Sequence, residues 1–228
     1  MTGLPVTGLP VTGLPADWRG RLRMVPERAA GDQPDWSRPP QSGGRHSAVL
    51  MLFSDGHGVD RPDVLLTERS RTLRSHPGQV SFPGGGLEPT DDGPSGAALR
   101  EAQEEAGIDP AGVDILGLLP PLFLPPSGYI VTPVLAWWRA TSAIGPIDVQ
   151  EVASVVRAPL AELVDPVNRF SLRHPSGYVG PGFRVQGLYV WGFTAGLLSR
   201  VLAHAGLERP WDERRTEQLP ADVLALLS

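Results

Sequence analysis

The strongest constraint on this chain is a run of three carboxylates, Glu101, Glu104 and Glu105. Their i, i+3, i+4 spacing places all three on one face of a helix, within reach of a single ion. Crowded carboxylates repel one another, so this pattern favours a hard divalent cation such as Mg²⁺ or Mn²⁺. An isolated run of this kind would favour a solvated acidic face instead. The glycine-rich segment at 82–86, just upstream, tips the interpretation toward a site that holds metal and phosphate together.

The residues around the carboxylates predict a helix from Pro94 to Ala106. Proline suits a first helical turn, where its missing N–H costs nothing. Alanines four residues apart, Ala98, Ala102 and Ala106, form a small apolar stripe that permits close packing on a sheet. Gly107 is placed to end the helix in the left-handed conformation.

The segment that begins at Arg100 resembles the Nudix hydrolase signature, G-x5-E-x7-R-E-U-x-E-E-x-G-U, where U is a bulky aliphatic residue. One register makes Gly86 the first glycine and Asp92 the upstream acid. The other makes Gly85 the first glycine and Asp91 the acid, with a spacer one residue longer. We favour the second register, because a Phe-Pro-Gly-Gly start is typical of the family. The choice does not affect the three glutamates.

A second motif narrows the resemblance. Leu-Leu-Thr-Glu-Arg-Ser at 65–70, followed by Arg74, Gly78 and Phe-Pro-Gly-Gly at 82–85, is similar to L-L-T-x-R-(S/A)-x3-R-x3-G-x3-F-P-G-G. That motif marks the coenzyme A pyrophosphatase branch of the Nudix superfamily. Segments near 128–134 and 190–195 also look like this branch. The resemblance spans roughly residues 47–205.

The order of predicted elements indicates an α+β fold, or three α/β/α layers. The resemblance implies the Nudix fold, a mixed sheet between helices. Residues 1–44, which repeat Thr-Gly-Leu-Pro three times and end in a Pro/Gly-rich linker, are expected to be a flexible segment before a domain at 45–228. We predict strands near 47–53, 63–69, 80–82, 113–119, 130–140 and 152–157, a short helix near 159–163, and helices at 188–203 and 220–227.

The resemblance implies hydrolysis of a diphosphate linkage that depends on Mg²⁺ or Mn²⁺. Glu101 and Glu105 are the first candidates for metal ligands and Glu104 is the next, with a backbone carbonyl from Gly84 or Gly85. Arg100 is expected to orient one of these carboxylates rather than to touch substrate. The residues predicted to bind substrate come from the two motifs: Arg69, Ser70, Arg74, Gly78, Phe82, Gly84 and Gly85.

The general base is left open between a glutamate of the helix and a later acid. Glu151 is the candidate for the later acid, because it begins a predicted strand. A surface carboxylate in a loop explains Glu151 equally well. Isolated histidines such as His76 and His174 are interpreted as surface or structural residues.

Composition excludes some functions. The chain has 228 residues and no cysteine, so it has no disulfide, thiolate metal site or cysteine nucleophile. Its net charge of −5 argues against a nucleic-acid surface. Neither a signal peptide nor a membrane segment is evident, and we expect a cytoplasmic protein.

The leading hypothesis is therefore cleavage of coenzyme A or acyl-CoA to adenosine 3′,5′-bisphosphate and 4′-phosphopantetheine. The nearest alternative is the same chemistry on ADP-ribose, NADH or another nucleoside diphosphate derivative. An alternative of another class is a catalytically silent module that binds a nucleotide or CoA. The expected partner is a small molecule, and the oligomeric state stays open, with a homodimer as one option.

Overall fold

The computed structural model describes residues 14–32, 37–40, 43–56, 61–125 and 127–225. Most of the N-terminal repeat, residues 1–13, and the last residues of the predicted terminal helix lie outside this part of the chain. The helices are α1 (Trp18–Arg23), α2 (Val25–Ala29), α3 (Gly93–Ala106), α4 (Leu160–Val164), α5 (Gly192–His204) and α6 (Ala221–Ala225). The strands are β1 (Arg45–Ser54), β2 (Asp63–Arg69), β3 (Val80–Ser81), β4 (Gly84–Gly86), β5 (Val113–Leu118), β6 (Leu122–Leu124), β7 (Tyr129–Trp138), β8 (Val152–Pro159), β9 (Arg169–Arg173), β10 (Val179–Val185), β11 (Leu188–Val190) and β12 (Thr216–Glu217).

The first sheet is mixed and has eight strands in the described residues. Its main path runs β3-β2-β1-β7-β5, and β4, β6 and β8 pair with β1, β7 and β2 respectively. Strands β1 and β7 are parallel, whereas the other neighbours in this sheet are antiparallel. This confirms the α+β class and the mixed sheet of the Nudix fold.

Alternate residues of β1 face opposite layers, as expected for a strand covered on both sides. Leu50 and Leu52 belong to a core with α3, whereas Met51 and Phe53 belong to a larger core with α1, α2 and α5. The alanine stripe of α3 lies in the first of these cores with no exposed surface. The small side chains let α3 approach the sheet closely, which brings its carboxylates next to the glycine strand β4.

A second sheet, in the order β11-β10-β9-β12, was not predicted. Its inner face packs on α4 and α5, and Arg169 is buried there with only 1% of its surface exposed. The guanidinium of Arg169 lies 4.3 Å from the ring centre of Phe183 and forms an ion pair of 3.1 Å with Glu208. The hydroxyl of Thr194 on α5 donates to the carbonyl of Val80 at 2.9 Å, which joins this half of the protein to β3.

Three sequence predictions need correction. The helix predicted over 188–203 begins only at Gly192, because Leu188–Val190 pairs with β10 as strand β11. The glycine-rich loop is in part a strand, since Gly84–Gly86 pairs with β1. The folded part begins before residue 45: α1 and α2 lie in the segment expected to be flexible, and their apolar residues join the larger core together with Leu14 of the last repeat.

Candidate active site

The carboxylates of α3 lie against the glycine strand β4, which is separated from β3 by two residues. The N–H of Gly84 donates to Oε2 of Glu105 at 3.2 Å. A Cβ atom at position 85 would lie 2.2 Å from Oε1 of Glu101, so only glycine permits this approach. At position 84 a Cβ atom would lie 2.3 Å from the carbonyl oxygen of Ala48. The two glycines that the sequence singled out therefore make room for the carboxylate and for the sheet.

Burial dominates the electrostatics of Glu105. Burial raises the pKa of this carboxyl to about 8, and the negative charges of Glu101 and Glu151 contribute to the rise. The hydrogen bond from Gly84 and the positive charge of Arg69 oppose it without cancelling it. Burial also raises the pKa of Glu101, with further contributions from the charges of Glu104 and Glu151. Keeping both carboxylates ionised therefore costs free energy in the absence of a cation.

Arg100 binds the acids around the helix rather than projecting away from them. Its Nε and Nη2 atoms donate to the two carboxylate oxygens of Asp91 at 3.0 and 3.1 Å. Its Nη1 donates to Glu101 at 3.0 Å and to Glu104 at 3.2 Å. The hydrogen bond from Arg100 lowers the pKa of Asp91, and the same contact raises the pKa of the guanidinium. Asp92 instead precedes α3 as its N-cap residue, with no capping bond from its side chain.

The oxygen donors of this site fit a hard divalent cation by their chemistry. Within the described ranges, no three His, Asp or Glu side chains converge as metal ligands. Glu101 and Glu104 each face Arg100, and the side chain of Glu104 is 59% exposed. However, Glu105 is a buried oxygen donor, Glu101 is half-buried, and the charge of Glu101 raises the cost of ionising Glu105. A bound cation would remove that cost, and hard oxygen ligands suit Mg²⁺ or Mn²⁺.

Arg69 and Glu151 reach the same site from outside α3. Their charges act on Glu105 with opposite signs, and Glu151 also acts on Glu101. The Nε atom of Arg69 is buried and donates to no acceptor among the described residues. The backbone N–H of Ser70 donates to the carbonyl of Glu151 at 2.9 Å, which fixes the two segments together. The structure therefore brings together residues that lie far apart in the sequence.

The other residues predicted to bind substrate lie in several different environments. Arg74 is exposed on the connection between β2 and β3, and Gly78 adopts φ +66° in the same connection. The hydroxyl of Ser70 is hydrogen-bonded to Thr72 at 2.9 Å and its side chain is buried. Phe82, predicted to contact substrate, is 3% exposed and packs in the larger core instead. Its position supports a role in packing the strand that leads into the glycines.

Sequence reasoning missed two partners of Arg100. The carbonyl of Gly86 accepts a hydrogen bond from Nη2 of Arg100 at 3.0 Å, and the carboxylate of Glu88 lies 4.0 Å from its Nη1. Gly86 is the last residue of β4 and Glu88 lies between β4 and α3, and the sequence marked neither of them as an acceptor. One signal could have indicated further partners: the guanidinium of an arginine has five N–H donors, more than the acids of the motif would use.

Comparison with known proteins identifies the family to which this chain belongs. The NUDIX domain family matches residues 44–176, and the chain belongs to this family. A relative from Cronobacter sakazakii, described as "Uncharacterized Nudix hydrolase NudL", is 41% identical over 73% of this chain and 85% of its own length. A protein of the same description from Escherichia coli is 38% identical over 72% of this chain and 84% of its own.

Two solved structures of Nudix proteins are similar to this chain at low sequence identity. A NUDIX hydrolase from Alicyclobacillus acidocaldarius has a TM-score of 0.46 and 17% identity, over 72% of this chain and 93% of that one. The NUDIX domain of Shewanella oneidensis NrtR, solved with ADP ribose, has a TM-score of 0.42 and 19% identity, over 60% of this chain and 84% of that one.

The protein is thus a Nudix hydrolase, an enzyme that acts on phosphoanhydride bonds. Hydrolases of this family generally use divalent cations such as Mg²⁺ or Mn²⁺. In the described residues, no helix is both long and apolar enough to cross a membrane.

Proposed function

We propose that this hydrolase cleaves the diphosphate of coenzyme A or acyl-CoA, giving adenosine 3′,5′-bisphosphate and 4′-phosphopantetheine. The observation that carries the proposal is the position of Arg69. This arginine belongs to the Leu-Leu-Thr-Glu-Arg-Ser motif, and its charge acts on Glu105. Its buried Nε has no acceptor in the described part of the chain, which supports a role for the motif in binding a phosphate oxygen.

Glu101 and Glu105 would hold the divalent cation, with Glu104 as the next ligand and a carbonyl from Gly84 or Gly85. When bound, the cation supplies neutralisation of phosphoryl charge and a lowered pKa for water. Arg100 orients Glu101 and Glu104, since it donates to both carboxylates.

The remaining residues act on substrate and water. Arg69 binds a phosphoryl oxygen, and Arg74 binds a further anionic group such as the 3′-phosphate. Glu151 takes the proton of the attacking water. The oxygen of that water bonds to one phosphorus while the anhydride bond between the phosphorus atoms breaks, and the other phosphate leaves. Each product then carries one phosphate of the original diphosphate.

The test compares CoA with 3′-dephospho-CoA in Mg²⁺ and in Mn²⁺. We expect cleavage of both compounds at the same bond, with a higher kcat/KM for CoA. Arg74→Ala should reduce this preference, while Arg173→Ala, an exposed arginine at the end of β9, should leave it unchanged. Equal kcat/KM values for the two substrates would contradict the 3′-phosphate contact. Cleavage of ADP-ribose with CoA left intact would assign the enzyme to another nucleoside diphosphate derivative.

A further inference from the structure

Two exposed apolar side chains lie in the loop between β7 and β8, next to the carboxylate helix. Ile147 is 66% exposed and Val149 is 67% exposed, the largest values among the large apolar side chains of the described residues. A single exposed apolar residue is ordinary on a protein surface. These two lie only two residues apart beside the acids of α3, so together they offer apolar surface next to the proposed phosphate-binding site.

Backbone hydrogen bonds hold the loop against the end of α3. The N–H of Ile147 donates to the carbonyl of Glu105 at 3.3 Å, and the N–H of Gly145 donates to the carbonyl of Ala106 at 3.3 Å. A Cβ atom on Gly107 would lie 3.4 Å from Cδ1 of Ile147. Ile147 therefore sits on the flank of the helix that carries the proposed metal ligands.

A tight turn fixes the position of Val149. The carbonyl of Asp148 accepts from the N–H of Glu151 at 3.0 Å and from that of Val152 at 2.9 Å. The carboxylate of Asp148 accepts from the N–H of Gln150 at 2.8 Å. Val149 is a central residue of this turn, so its exposure is built into the backbone. The same turn delivers Glu151, whose charge acts on Glu101 and Glu105.

We propose that Ile147 and Val149 form an apolar contact for the geminal dimethyl group of the pantoyl part of CoA. This inference rests on the proposed function. In CoA, only one oxygen and one methylene separate the dimethyl carbon from a phosphorus of the diphosphate. With a diphosphate held at the carboxylates of α3, the two methyl groups would lie near the flank of the helix that Ile147 contacts. ADP-ribose carries a hydroxylated sugar at the corresponding distance, so this contact selects the pantetheine ester.

The experiment is a cycle of two protein forms and two substrates. The forms are the wild-type chain and the double variant Ile147→Ser with Val149→Ser. The substrates are CoA and a synthetic analogue with an unsubstituted methylene in place of the dimethyl carbon. For the wild-type chain we expect kcat/KM to fall about tenfold on removal of the methyl groups, the effect of losing two apolar contacts. The double variant should turn over both substrates at the rate of the wild-type chain on the analogue.

Val167→Ser provides the control, because Val167 is 63% exposed but precedes β9 in the second sheet. This variant should retain the full discrimination between the two substrates. Equal discrimination by the wild-type chain and the double variant would overturn the inference while leaving the proposed function in place. A wild-type chain that hydrolyses ADP-ribose but neither CoA nor the analogue would overturn both.

Discussion

Replacing Glu105 by glutamine should abolish catalysis yet stabilise the metal-free protein at alkaline pH. The buried carboxyl has a pKa of about 8, against an ordinary value of 4.5. Glutamine has nearly the same volume, carries no charge, and can still accept the hydrogen bond from the N–H of Gly84. The variant therefore removes the cost of ionising a buried acid while preserving its packing.

The magnitude follows from the two pKa values. In the folded chain the carboxyl stays protonated up to about pH 8, whereas in the unfolded chain it ionises near pH 4.5. The folded state thus binds the extra proton between these values, and stability falls as pH rises through this window. At about 1.36 kcal/mol per pKa unit, the full penalty above pH 8 is at most about 5 kcal/mol.

Denaturant unfolding with a chelator present, at pH 5 and at pH 9, tests this prediction. Glu105→Gln should exceed the wild-type chain in free energy of unfolding by about 2 to 5 kcal/mol at pH 9, and by much less at pH 5. Added Mg²⁺ should stabilise the wild-type chain more than the variant. Glu104→Gln, at an exposed position of the same helix, should show no such pH-dependent difference. A variant less stable than the wild-type chain at pH 9 would refute the argument.

Three further predictions concern the glycine strand, the arginine and the N-terminal helix. In a steady-state assay, Gly85→Ala should lower kcat/KM by about 100-fold or more, because the added Cβ would displace the carboxylate of Glu101. Gly86→Ala is the control: the Cβ added there meets no atom within 4 Å, so activity should stay nearly unchanged. Arg100→Lys should weaken metal binding by about 10–100-fold in titration calorimetry, because one ammonium cannot replace a fork of guanidinium donors. Trp18→Ala should cost about 3–5 kcal/mol in denaturant unfolding, because its ring is part of the larger core; a change below 1 kcal/mol would mean that α1 does not belong to the folded unit.

The sequence predicted the elements whose signals are local. The strands β1, β2, β5, β7 and β8 and the helix α3 all lie close to their expected bounds. Each has either a segment rich in apolar residues or strong helix formers ended by a glycine, and Gly107 adopts the left-handed φ of +71° that was expected. The second sheet was missed because β9, β11 and β12 are short, and because β10 contains two glycines and a proline, which argue against a strand. The helices α1 and α2 were missed because the repeat and the linker around them suggested flexibility.

The sequence indicated which residues to consider for the candidate site, but not how they are arranged. The charge of Arg69, from one motif, acts on Glu105, from the other, although 35 residues separate them. Phe82 shows that a residue fixed in a motif can be required for packing of the fold rather than for contact with substrate. The apolar residues Ile147 and Val149 belong to no motif, so their exposure beside α3 became evident only from the structure.

Chromatographic analysis of the products formed from CoA tests the central claim most directly. The purified chain is incubated with CoA and Mg²⁺ or Mn²⁺, in parallel with Glu105→Gln. The account predicts equal amounts of adenosine 3′,5′-bisphosphate and 4′-phosphopantetheine from the wild-type chain, and intact CoA from the variant. Intact CoA with the wild-type chain under both metals, together with cleavage of ADP-ribose or a dinucleotide, would contradict the proposed substrate.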